Sequence, residues 1–199
     1  MMLLSACGDA FRASAAVVDG HEISQDQLQH EFDVQVAAQP QLKQRLSAPG
    51  AAATKKTLLR QFLSFLIQER VIREYARTRR ISVSLREVNA QMAQIIQQQG
   101  GQVAFDRLLR ERGLALSDLR AHVEFSVLQE KVASALAAAQ RVGPDSAQAQ
   151  QIFSDWLRGR LAKDSIRVNP LFGRLDPTHA AICAIASTAD KADPCVPPG

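Results

Sequence analysis

Ala15-Ala16-Val17-Val18-Asp19-Gly20-His21-Glu22-Ile23-Ser24 reads as a short strand, a tight turn and the cap of a helix. A second stretch near the other end, Asp164-Ser165-Ile166-Arg167-Val168-Asn169-Pro170-Leu171-Phe172-Gly173-Arg174, reads as one more short strand. Everything between them has helical character. Lone strands cannot leave their backbone groups without partners. The simplest solution brings the two ends together and closes a helical domain. The expected fold class is therefore mainly α, closed by short terminal strands.

Working inward, Ser24 followed by Gln27 is a capping box for a first helix, with Leu28 and Phe32 on one face. That helix is expected to end near Gln39, before Pro40. Residues 40–53 contain Pro40, Pro49 and Gly50 and suggest a loop or broken helix. From Thr54 to Arg80 there is no Gly or Pro, and Leu58, Leu59, Phe62, Leu63, Phe65, Leu66, Val71, Ile72, Tyr75 and Ala76 form a wide apolar face. This should be the central helix. Ser84 with Glu87 opens the next helix, which Gly100-Gly101 ends. A short helix carries Phe105, Leu108 and Leu109 and stops at Gly113, and Ser117 is expected to cap a longer one. The last helix runs from about Asp145 to Lys163. Beyond Pro177 the chain is rich in Ala, Asp and Pro, and little regular structure is expected.

Leu4-Ser5-Ala6-Cys7 matches a bacterial lipobox, with Cys7 as the lipid attachment residue. Met1-Met2-Leu3-Leu4 is too short for the apolar part of a signal and has no basic residue before it, so the true start is expected upstream. Residues 1–14 are then a truncated lipoprotein signal and tether, 15–176 the helical domain, and 177–199 a flexible tail. A lipid anchor would hold the chain at a membrane without a spanning helix, and no apolar run is long enough to span one. Cys183 and Cys195 would pair as a disulfide in an oxidising compartment. No cysteine pair has Cys-x-x-Cys spacing, and no histidine is expected to join them as a ligand, which argues against a metal site.

Net charge is +4 and the charges are mixed along the helices, so a solvated helical surface accounts for them without nucleic acid. Gly100-Gly101 lacks the flanking residues of a phosphate loop, and no Gly-x-Ser-x-Gly elbow is present. The acidic residues lie on wet helix faces among basic ones. No residue is nominated as catalytic, and no cofactor is expected.

Val17-Val18-Asp19-Gly20-His21-Glu22-Ile23-Ser24 resembles the strand and turn that precede the first helix of SurA-type folding factors. Further likeness lies in Leu66-Ile67 through Tyr75-Ala76, in Ile81-Ser82-Val83-Ser84-Leu85-Arg86-Glu87-Val88, in Phe105 to Leu109, and in Gly113-Leu114 to Leu119-Arg120. The resemblance covers about residues 15–176 and implies a SurA N-terminal-like helical domain. Many relatives insert a parvulin prolyl-isomerase domain before the last helix. Here only a short link around Gly143-Pro144 stands at that place, so the resemblance implies no isomerase activity.

The function so implied is that of an extracytoplasmic, membrane-anchored chaperone-like holdase for unfolded or extended polypeptides. A holdase needs exposed apolar surface bordered by charge. Phe62, Phe65, Met92, Ile96 and Phe105 are the expected client-binding residues, with Arg77, Arg79 and Arg80 at the rim. The alternative is a non-chaperone envelope lipoprotein that binds one specific partner.

Overall fold

The computed structural model describes residues 13–185 and Cys195. In chain order the elements are β1 (Ser14–Val18), β2 (His21–Ser24), α1 (Gln25–Ala38), α2 (Pro40–Leu46), α3 (Ala52–Arg79), α4 (Leu85–Gln98), α5 (Gln102–Arg112), α6 (Leu116–Ala139), α7 (Ala147–Lys163), β3 (Ile166–Val168), β4 (Arg174–Asp176) and β5 (Ala181–Cys183). The chain divides into two units. One takes the strands, the start of α1, most of α3 and the end of α7; the other takes residues 33–45 and 71–157.

The first unit is built on the closure expected from the sequence. Asp19 and Gly20 have φ of 48° and 82°, so a two-residue turn folds β2 antiparallel onto β1. β3 pairs antiparallel with the other edge of β1, with Val17 opposite Arg167, giving the order β2-β1-β3. Asp19 fastens the junction twice: its N–H donates to Ser165 O at 2.9 Å, and its Oδ1 accepts from Ser165 N–H at 2.8 Å. Asn169 is buried and fully used. Its N–H donates to Ala15 O, its Nδ2 to Ser14 O, and its Oδ1 accepts from Leu171 N–H. Ala16, Val18, Ile23, Leu28, Leu63 and Ile67 are all buried in this unit.

A second small sheet, β4 with β5, stands where the sequence suggested an unstructured tail, so the expected boundary at residue 176 falls at the turn of a hairpin. The reason is tertiary. Ser64 Oγ on α3 accepts from Ile182 N–H at 2.7 Å, and Gln68 Nε2, one helical turn on, donates to Ala180 O at 2.7 Å. These two bonds satisfy backbone groups that a three-residue strand cannot satisfy alone.

In the second unit, α4 packs on α5 and α6 around Val88, Met92, Phe105, Leu109 and Val123. Tyr75 meets Trp156 edge-on at 4.7 Å between ring centroids. Arg112 donates to Ala38 O at 2.7 Å, placing a cation on the last carbonyls of α1. Of the loop or broken helix expected over 40–53, the structure has the latter: α2 starts with Pro40 at its first position, where its missing N–H and fixed φ suit a helix start. Ser117 does not cap α6; Ala115 holds that position and makes no side-chain bond.

Ser84 and Glu87 form the expected capping box, and Glu87 Oε1 also accepts from Lys131 of α6 at 2.7 Å. Lys131 first, then the Ser84 N–H and hydroxyl, lower the Glu87 pKa from 4.5 to about 2. A depressed folded-state pKa stabilises the fold above the unfolded pKa, and this is lost as pH falls through the folded one. Urea unfolding of Glu87→Gln is therefore expected to show a deficit against wild type at pH 7. The deficit should shrink between about pH 4.5 and pH 2. A deficit that does not change with pH would refute the ion pair as its source.

Candidate polypeptide-binding surface

The residues expected to grip a client fall in both units and have different fates. Met92 and Phe105 are 3% and 2% exposed and form the core of the second unit, so neither offers surface to a client. Their helical spacing reported burial, which is what such spacing most often means. Ile96 packs, half-buried, against the same cluster. Phe62 and Phe65 lie half-buried on α3 in the first unit. The Phe62 ring stands edge-on to Phe32 at 5.9 Å, and the Lys55 ammonium lies 5.5 Å from the Phe32 ring.

The arginines at the end of α3 have intramolecular tasks. Arg77 grips Glu74 with two bonds of 2.9 and 2.6 Å, and Arg79 lies over the Tyr75 ring. Arg80 takes a left-handed φ of 56° and ends the helix, with Ile81 N–H returning to Ala76 O. Cys7 lies outside the described residues. Cys183 and Cys195 are joined by a disulfide.

An apolar groove of about 540 Å³ opens in the first unit, lined by Ile166, Val168, Pro170, Leu175 and Ile185, with Arg174 as its cation. Leu171, beside Pro170, is 84% exposed, and Ile185 is 62% exposed. The ladder between β1 and β3 explains what else this groove offers. Asn169 N–H bonds to Ala15 O and Ser165 O accepts from Asp19 N–H. Bonding groups alternate along an antiparallel pair, so Ser165, Arg167 and Asn169 turn their backbone groups toward β1. Ile166 and Val168 turn theirs away, and both line the groove. Among the described residues β3 is an edge strand. The groove thus combines apolar walls with an outward-facing row of backbone donors and acceptors.

A second groove, of about 390 Å³, lies in the other unit, lined among others by Gln129, Glu130, Pro144 and Phe153. It is the more polar of the two, and none of its lining residues belongs to a strand.

None of the residues selected from helix patterns lines the groove beside β3. Its signal in the sequence was the alternation of Ile166 and Val168 and the apolar run through Ala184-Ile185, read as a tail. The sequence reading also left out His179, four residues before Cys183. In the structure its Nδ1 lies 3.0 Å from Asp176 Oδ2, while Thr178 N–H donates to Asp176 Oδ1 at 2.8 Å. The His179 bond first, and the Thr178 bond next, hold the Asp176 carboxyl below the usual carboxylate range.

No curated protein matches the chain. A family model described as the SurA-like N-terminal domain matches residues 4–133, a span that contains β1, β2 and α1 to α5 and most of α6. With more than half of its length matched, and with a mainly helical fold closed by terminal strands, the chain belongs to the chaperone-related SurA-like N-terminal domain family.

Proposed function

We propose that the chain is an extracytoplasmic lipoprotein, anchored through Cys7, that holds unfolded polypeptide segments in extended form and has no prolyl isomerase activity. Membership of a chaperone-related family supports polypeptide binding as the class of activity. The observation that carries the reading further is the groove beside β3. An extended segment laid there adds a strand to the sheet: its backbone bonds to Ile166 and Val168 give affinity for any sequence, and its apolar side chains enter the walls. Backbone recognition of this kind suits a holdase, which must accept many clients. The absence of isomerase activity is supported by the short link, residues 140–146, between α6 and α7.

The test is light scattering from chemically unfolded proteins as they aggregate, with and without a soluble form starting at Gly8. Suppression is expected for several unrelated clients. Val168→Pro removes one outward N–H but none of the bonds to β1, and proline is tolerated on an edge strand. It should weaken suppression several-fold while circular dichroism stays unchanged. A folded wild-type protein that suppresses nothing would overturn the holdase reading and leave a scaffold for one envelope partner.

A further inference from the structure

One face of the β4–β5 hairpin gathers four groups with metal-binding chemistry. Asp176 closes β4, His179 lies in the turn, and Cys183 closes β5. One ligand atom each from Asp176, His179 and Cys195 lie within 4.8 Å of one another. The fourth, Cys183 Sγ, is bonded to Cys195 Sγ. Register explains why the strands deliver these groups together. Arg174 stands opposite Cys183 and Asp176 opposite Ala181, so Asp176 and Cys183 leave the hairpin on the same face.

In the disulfide neither sulfur carries the charge of a thiolate, the form that ligates metals. A dithiol reductant delivers two electrons and two protons, breaks the S–S bond and leaves two thiols, itself becoming a disulfide. We infer that the reduced chain takes one Zn²⁺ on this face of the hairpin, ligated by the sulfurs of Cys183 and Cys195, His179 Nδ1 and the Asp176 carboxylate. Binding releases the two thiol protons. Two thiolates, an imidazole and a carboxylate form a tetrahedral set suited to Zn²⁺, whereas Mg²⁺ and Ca²⁺ take oxygen ligands. Three of the donors come from residues 176–183, so the hairpin pre-arranges them and only Cys195 is recruited from outside. Cys183 is 1% exposed, and a buried thiolate is tolerated where a cation neutralises it. The oxidised chain holds the disulfide and the reduced chain holds the metal, which makes this face of the hairpin a redox-dependent zinc site. This inference does not depend on the proposed polypeptide binding.

Anaerobic titration of the full chain with Co²⁺, after reduction by a phosphine, tests it. One equivalent is expected to produce thiolate-to-cobalt charge-transfer bands and the intense visible bands of a tetrahedral site, and Zn²⁺ should abolish both. The oxidised chain should give neither. His179→Ala and Asp176→Asn should each weaken binding by about tenfold or more. The His179 side chain is 47% exposed, so its removal leaves the fold intact. No thiolate band after reduction, or an affinity unchanged in both variants, would overturn the site; the latter would leave only two cysteines meeting a metal without a built pocket.

Discussion

Phe105→Ala is expected to destabilise the chain by about 3–5 kcal/mol, the range for emptying a buried aromatic site. Phe105 is 2% exposed and packs with Val88, Met92, Leu109 and Val123. Four of these side chains lie on α4 and α5, and the fifth lies on α6. Collapse of the cavity would need whole helices to shift, so most of the lost volume stays empty. Urea unfolding measures the loss, and the same experiment decides between two meanings of this residue. A client-gripping Phe105 would lose binding with stability intact. A core Phe105 loses stability, and binding falls only as the folded fraction falls. A change below about 1 kcal/mol, outside the usual range for a buried aromatic, would refute the packing described here.

Gly173→Ala is expected to have the next largest effect, centred on the β4–β5 hairpin. Gly173 has φ of 130°, a conformation that costs other residues on the order of 1–3 kcal/mol. A Cβ there would also overlap the Cys183 carbonyl oxygen and stand 3.1 Å from Ile182 Cγ2. β5 cannot simply retreat, because Ser64 and Gln68 hold Ile182 and Ala180 to α3. The variant should melt at a lower temperature and be cut by protease within residues 174–183, with its helical circular dichroism retained. Because Arg174, Leu175 and Ile185 line the groove, suppression of client aggregation should fall as well. Unchanged melting and unchanged proteolysis would show that β5 does not approach Gly173 as closely as described.

The helices were legible because their signals are local. Ser84 finds Glu87 three residues away, and the Leu63, Leu66, Ile67 repeat marks one face of α3 whatever lies opposite it. The pairing of β1 with β3 was legible for another reason: the two strands read from the sequence lie at opposite ends of a helical chain, and their backbone groups need partners. The client-binding residues were less so. An apolar stripe states that a face is to be covered and says nothing of whether anything covers it. Met92 and Phe105 turned out covered, whereas Leu85 and Val103, near the starts of α4 and α5, are 77% and 83% exposed.

From residue order alone came the helical class, the caps at Ser24 and Ser84, the turn at Asp19-Gly20 and the meeting of the two ends, each fixed by contacts along a helix turn or by the need of backbone groups for partners. Only the tertiary structure decided that residues 174–183 form a hairpin, since Ser64 and Gln68 reach it across more than a hundred residues. The hairpin so held brings Arg174 and Leu175 to the groove beside β3, and the disulfide to Cys183 sets Cys195 near Asp176 and His179. Contacts of that range depend on how helices pack, and no periodicity within a segment encodes them.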